Sequence, residues 1–308
     1  MITRYEFEIL SALELNAIPV GSDREIADRL TISEAAFLRA INNLKLHGFV
    51  VPGQNSRYDI TEAGLSALEP YRVKHAVILA AGFGSRLMPA TADRPKPMVS
   101  VNGVRIIDTL LDALVGVGIR DITVVGGYRF DVLKTLIKKY PFLRLIENRD
   151  YAVTNNISSA VLAGEFLKDG CYFCEADLYI RNPESVIKKY QYASNILGSY
   201  SMETDDWSYK MENGFLTDYR KGNTYCYTYY GISYWTSEDC GKLRQDFREV
   251  YEAPDGKDYF WEFVPFVLKK DRYRVEVRPC RKQDIMEIDS YKELAELDPS
   301  YCGREAEC

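Results

Sequence analysis

The sequence predicts an α/β fold: a doubly wound, mostly parallel sheet over residues 73–308, preceded by a small, mainly helical module over residues 1–72. Three observations carry this prediction. From His75 onward short aliphatic runs alternate with amphipathic segments. The first of those runs, "AVILAA", is continuous in apolar character rather than alternating, as a strand buried on both faces must be. The texture changes near residue 73, and 308 residues leave room for two domains. Strands that alternate with helices pair in parallel through right-handed crossovers, which gives the doubly wound arrangement.

The elements follow in order. "TRYEFEILSALELN" repeats apolar residues at helical spacing through Phe7, Leu10 and Leu13. Ser22 is placed to cap "SDREIADRL", and Ser33 to cap "EAAFLRAINNLKLHG", which stops at Gly48. "FVVPGQNSRYDI" reads as two short strands around a Pro-Gly-Gln-Asn-Ser turn, and Thr61 caps the helix "TEAGLSALEPY". In the larger part, "AVILAA", "DITVVGG", "RLIEN" and "CYFCEADLYI" are strands, and "RIIDTLLDALVGVG", "FDVLKTLIKKY" and "ISSAVLAGEFL" are helices. Past Asp177 the chain turns β-rich: "ILGSYSM", "YKMENGFLTDY" with an Asn-Gly turn, and "YCYTYYGISYW". Helices return at "SEDCGKLRQDFREVY" and "YFWEFVPFVLK", followed by strands at "YRVEVR" and "IMEID" and a last helix at "SYKELAEL".

Composition excludes several function classes. With 46% hydrophobic and 27% charged residues the chain is ordinary for a soluble globular protein. It has neither an apolar run near the ~20 residues of a membrane span nor a secretory h-region, so a cytoplasmic protein without a membrane partner is expected. The seven cysteines then read as reduced thiols. Cys171 and Cys174 look like a redox or zinc pair, but three residues apart on a strand they face opposite ways. Two histidines, His47 and His75, make a histidine triad or a multi-histidine metal site implausible. The net charge of −6 argues against wholesale nucleic-acid binding.

Residues 1–72 resemble the winged-helix domains of bacterial transcription regulators. They carry seven Lys/Arg against ten Asp/Glu, net −3, whereas phosphate contacts dominate DNA affinity. Arg39, Asn42, Asn43, Lys45 and Arg57 could still form one basic face. Oligomerisation or regulation is expected of this module ahead of DNA binding, and a homodimer stays open.

The turn "LAAGFGSR" follows a strand, and Gly82 and Gly84 let its backbone approach a ligand and aim N–H groups at phosphate oxygens. It is neither a Walker loop nor a complete G-x-G-x-x-G motif. Arg86 offers a planar fork, and Lys96, fixed between Pro95 and Pro97, offers a point charge. A backbone cradle with two cations suits a triphosphate. "LAAGFGSRL…ADRPKPMVSVNG" resembles the signature of nucleotidyltransferases that join an NTP to a sugar phosphate or an amino-alcohol phosphate. The resemblance continues through "IENRDYAVTNNISSAVLA", "CEADLYI", "YYGISYWTSEDC", "YFWEFV" and "MEIDSYKEL", spanning nearly all of residues 75–297. The later motifs are most similar to bacterial CTP:phosphocholine cytidylyltransferases.

The resemblance implies a Rossmann-like nucleotidyltransferase domain that uses Mg²⁺ to transfer CMP from CTP to phosphocholine, releasing pyrophosphate. Other acceptors stay open, among them phosphoethanolamine, 2-aminoethylphosphonate and a sugar 1-phosphate, as does a ligand-sensing regulator built on the same fold. It places metal-binding aspartates on Asp177 and Asp289 and catalytic cations on Arg86 and Lys96. It places base and ribose contacts on Ala80, Ala81 and Gly82, phosphate contacts on Gly84 and Ser85, and closure over the base on Asn155, Asn156 and Ser159. By spacing alone, Glu175 and Asp177 would share one face of a strand, but relatives often have Asp at the first position, so the role of Glu175 stays open.

The second half is rich in aromatic residues beside acids. A trimethylammonium group is recognised by aromatic faces with a carboxylate nearby, and the expected acceptor-binding residues are Trp207, Tyr229, Tyr230, Trp261 and Glu262. Phosphoethanolamine or 2-aminoethylphosphonate would fit a site with more carboxylates and fewer rings.

Overall fold

The computed structural model describes residues 1–15, 21–53 and 56–302. It divides into two compact units, Met1–Arg72 with Tyr190–Tyr192, and Val73–Lys189 with Ala193–Cys308. Gln54 and Asn55 of the expected turn lie outside the described residues.

In the first unit, helices α1 (Arg4–Glu14), α2 (Asp23–Arg29) and α3 (Glu34–Leu46) precede an antiparallel pair, β1 (Val50–Pro52) and β2 (Tyr58–Ile60), and α4 (Glu62–Leu68) closes it. The caps are those the sequence predicts: Ser22, Ser33 and Thr61 each accept a first-turn N–H. Gly48 ends α3 with φ +70°, in the left-handed region that favours glycine. Phe7, Leu10, Ile26, Phe37, Ile41 and Leu44 fill one core. Arg39 is exposed. Arg57 grips Asp23 through Nε and Nη2, and this hydrogen-bonded pair holds the Asp23 carboxyl below the usual range.

The second unit runs β3 (His75–Ala80), β4 (Ser100–Val101), β5 (Val104–Arg105), α5 (Ile106–Gly116), β6 (Asp121–Gly126), α6 (Phe130–Leu133), β7 (Arg144–Glu147) and α7 (Ile157–Ala163). It continues with β8 (Cys171–Glu175), β9 (Leu178–Ile180), α8 (Pro183–Val186), β10 (Asn195–Glu212), β11 (Phe215–Trp235), α9 (Ser237–Glu252), β12 (Glu276–Cys280), β13 (Ile285–Glu287) and α10 (Tyr291–Leu297). Seven strands form one sheet in the order β10-β12-β11-β8-β3-β6-β7. The β8, β3, β6 and β7 neighbours are parallel, and β11 joins β8 antiparallel. Alternate residues of β3 enter two cores: Ala76, Ile78 and Ala80 pack with α5 on one face, Val77 and Leu79 with α7 and α9 on the other. Cys174 lies in the first core and Cys171 in the second, so the two sulfurs do face apart.

Four elements differ from the expectation. The segment after Arg129 makes one α-turn and then a 3₁₀ stretch, Lys134–Lys138, because Leu133 and Leu136 are both fully buried and three residues per turn aligns them. The expected helix around Trp261 is reduced to a wide turn, Val264–Leu268, in which Pro265 has no N–H to give and Lys269 reaches back five residues to Val264 O at 2.9 Å. The β-rich segments merge into one long hairpin, β10–β11, turned at Asn213-Gly214 with both φ positive and irregular in register around Asp205-Asp206. "CYFCEADLYI" is cut at Ala176-Asp177. Its second piece, β9, leaves the large sheet and pairs antiparallel with β13, with Leu178 opposite Glu287.

Candidate active site

A cleft of about 1180 Å³ opens at the carboxyl ends of β3 and β8, where ligands of open α/β sheets bind. One wall is the turn after β3. Gly84 there has φ +64°, and a Cβ on it would stand 2.7 Å from Lys96 Cβ. Only glycine allows that turn to lie against the segment carrying the lysine. Thr91 Oγ1 donates to Gly84 O at 2.9 Å and fastens the loop.

Opposite the turn, Lys96 Nζ lies 2.9 Å from Asp177 Oδ2 and 2.8 Å from Asp289 Oδ1. The two aspartates are 112 positions apart, and the β9/β13 pairing brings them together. That register also delivers Glu287, whose carboxylate joins those of Asp177 and Asp289 with oxygens within 4.8 Å of one another. Burial disfavours the Lys96 charge, but Asp177 and Asp289 outweigh it and hold the ammonium above its ordinary pKa. Burial opposes the Asp289 charge in turn, and Lys96 and Arg86 hold its carboxyl below the usual range. Burial, then Asp177 and Asp289, push Glu287 well above it. Arg86 reaches Asp289 at 3.2 Å from a largely exposed position, free to swing to a ligand.

The trio fits a hard divalent cation. All donors are carboxylate oxygens, and Asp177 Oδ1 is buried without a hydrogen-bond partner. Ser290, not Asp289, caps α10, with Glu293 closing the box, so the Asp289 side chain is free to face Lys96. Glu175 is not in the trio. The strand ends at Glu175, so the alternation that would set it beside Asp177 is broken; its Oε1 instead accepts from Trp261 Nε1 at 3.3 Å. Burial, then Glu262 and Asp177, push the Glu175 carboxyl well above its ordinary value.

Ala80, Ala81, Gly82, Gly84, Ser85, Asn155, Asn156 and Ser159 all line the cleft. The asparagines also hold its far wall: Asn155 Nδ2 donates to Asp258 O at 3.1 Å, and Asn156 Oδ1 accepts from the Trp261 N–H at 2.7 Å. Ser159 is buried and accepts from Asn148. Of the expected acceptor residues, Trp207, Tyr229 and Glu262 line the cleft. Tyr230 does not: neighbours on a strand face opposite ways, and its hydroxyl meets Ser199 at 2.8 Å in the other core. Trp261 does not either; it is fully buried against Phe173 and Phe247 and supports Glu175 from behind.

Sequence reasoning missed Glu287, which ends β13 two residues before Asp289; Asp289 lies beyond the strand, so alternation does not pair them, and only the closeness of two acids in "MEID" could have drawn notice. It also missed Phe83, an exposed ring of the glycine turn leaning on Tyr151 and Tyr128. Among the described residues, no helix is long and apolar enough to cross a membrane.

A family model described as nucleotidyl transferase matches residues 75–205. The 2-aminoethylphosphonate cytidylyltransferase of Lancefieldella rimae is 35% identical over 232 residues, covering 74% of this chain and 93% of that protein. The choline-phosphate cytidylyltransferase of Streptococcus pneumoniae is 30% identical over 236 residues, covering 72% and 96%. Among solved structures, the CTP:phosphocholine cytidylyltransferase from Streptococcus pneumoniae matches with a TM-score of 0.68 at 28% identity, over 74% of this chain and 99% of that one.

Proposed function

The chain belongs to the nucleotidyl transferase family and is an enzyme of its cytidylyltransferase kind, and from this premise we propose that it transfers CMP from CTP to a small phosphate or phosphonate bearing a cationic nitrogen. The observation that carries the reading is the convergence of Lys96, Asp177, Glu287 and Asp289 opposite the glycine turn. Asp177, Glu287 and Asp289 would hold Mg²⁺, which supplies charge neutralisation to the triphosphate.

The chain's own groups do the rest. Backbone N–H groups from Gly82 to Ser85 receive phosphate oxygens, Arg86 forks onto them, and Lys96 moves from the carboxylates to the charge that develops on the triphosphate. An acceptor oxygen, already ionised near neutral pH, attacks the α-phosphorus. One P–O bond forms, the bond to the outer two phosphates breaks, and pyrophosphate leaves with that electron pair. No general base is needed, so position and charge carry the catalysis. Phosphocholine is one acceptor this reading names; 2-aminoethylphosphonate is the second, favoured by the buried acids Glu175 and Glu262. Pyrophosphate release should be seen with CTP and Mg²⁺ plus phosphocholine, phosphoethanolamine or 2-aminoethylphosphonate, and not with sugar 1-phosphates. Release with only a sugar 1-phosphate would overturn the acceptor class.

The order of elements in residues 1–72 supports a winged-helix reading of that unit. We place oligomerisation, such as a homodimer, or regulation ahead of DNA binding, since Arg57, expected to face phosphate, is held by Asp23. DNA mobility should be unshifted at low salt; a shift abolished by Arg39→Ala would reverse that order.

A further inference from the structure

We propose that the acceptor's nitrogen is a primary ammonium, and that Glu262 and Tyr229 select it over a quaternary one. The proposal rests on the cytidylyl-transfer reading above and names its acceptor more narrowly. Besides Asp177 Oδ1 in the carboxylate trio, two polar atoms of the cleft lining are buried without a hydrogen-bond partner: Glu262 Oε2 and the Tyr229 hydroxyl. Both residues are more than nine-tenths buried, at 3% and 7% exposed. A buried acceptor left unmade is costly, so such atoms in a cleft indicate a ligand that brings N–H or O–H donors. Tyr219 occupies the other Glu262 oxygen at 3.5 Å, which aims Oε2 away from that contact. Glu175 stands on the same wall, with Oε1 served by Trp261 and Asn156. Burial pushes the Glu262 carboxyl up to about 7, against the hydrogen bonds of Asn156 and Tyr219 that favour its charge.

A quaternary ammonium has no N–H and needs open aromatic faces. The cleft's rings are mostly engaged with one another: Phe83 leans on Tyr151 at the glycine turn, and Phe260 meets Trp207 edge-on. Trp207 is stacked on Tyr219, with ring centroids at 5.3 Å and planes 7° apart, and Phe263 meets it edge-on. Tyr230 and Trp261 do not reach the cleft. A primary ammonium brings three N–H donors and one charge, matching the unpaired oxygens and the acid beside them. A site built to hydrogen-bond a substrate N–H rejects the analogue lacking it far more strongly than an apolar pocket rejects a methyl group.

The test measures kcat/KM of the full-length protein with CTP and Mg²⁺ for 2-aminoethyl phosphate and its mono-, di- and trimethylated forms. The expected result is a decline with each methylation, reaching about 100-fold or more for the trimethyl acceptor. Tyr229→Phe and Glu262→Gln should each raise KM for the primary amine about tenfold or more, leave KM for CTP within about twofold, and flatten the series. Tyr229→Phe conserves shape, so it keeps the test valid if Glu262→Gln fails to fold. A trimethyl acceptor as good as the primary amine overturns the proposal while leaving cytidylyl transfer standing. Pyrophosphate release with none of the four, nor with 2-aminoethylphosphonate, overturns the cytidylyl-transfer reading itself.

Discussion

Asp177→Asn and Asp289→Asn should each lower kcat by about 10²–10³-fold with the fold retained, the cost typical of losing one preorganised charge at a reacting phosphate. The basis is geometric. Each aspartate touches Lys96, and each gives an oxygen to the trio with Glu287. Either amide keeps the shape but loses the charge a cation needs. Glu287→Gln should cost less, about tenfold, and should leave the metal-free protein as stable as before or more so, because burial, Asp177 and Asp289 already disfavour the Glu287 charge. Circular dichroism, kcat and the shift of Tm with added Mg²⁺ check this together. All three variants should lose most of the Mg²⁺-dependent rise in Tm. Wild-type turnover and a wild-type Mg²⁺ shift in either aspartate variant would remove that residue from the site.

Lys96→Met should lower kcat/KM by about 10²–10³-fold, with KM for CTP raised as well. Its effect on metal binding should have the opposite sign. With the ammonium gone, Asp177 loses its cation and Asp289 keeps only the largely exposed Arg86, so the variant should bind Mg²⁺ more tightly than the wild type while turning over far less. Stability should fall when no metal is present, since removing one partner leaves the other buried charges unpaired. The linkage has a definite direction. The folded-state pKa of Lys96 is raised, so its contribution is fully present below the ordinary lysine value and is lost only as pH climbs through the higher folded one. The stability difference between Lys96→Met and wild type should therefore be flat across neutral pH and shrink in strong alkali. Unchanged kinetics would show that Lys96 only neutralises the acids.

The parts of the site legible in the sequence are those fixed by local chemistry. A glycine turn after an aliphatic strand, a lysine locked between prolines and an aspartate at a strand end each announce themselves. Alternation sorted Cys171 from Cys174 correctly, and it would equally have separated Tyr229 from Tyr230, but β13 stops at Glu287, so it could not have joined Glu287 to Asp289. Other features depend on tertiary context. The break at Ala176-Asp177 follows from pairing with a strand more than a hundred residues away, and no local signal marks it. Trp261 beside Glu262 looks like a recognition pair until the core formed by Phe173 and Phe247 claims the ring. The long hairpin is legible in its three β segments and its Asn-Gly tip but not in its register, whose shifts arise from two strands of 18 and 21 residues accommodating each other.

The β9/β13 ribbon also orders events during synthesis. A chain arrested after Cys280 would already possess every strand of the seven-stranded sheet, the glycine turn, Lys96 and Asp177. It would still lack two of the three carboxylates, which arrive only with Ile285–Asp289. Two of the three carboxylates are thus added only after every strand of the large sheet has been synthesised, and a chain ending before Glu287 would carry the glycine turn and Lys96 without the trio.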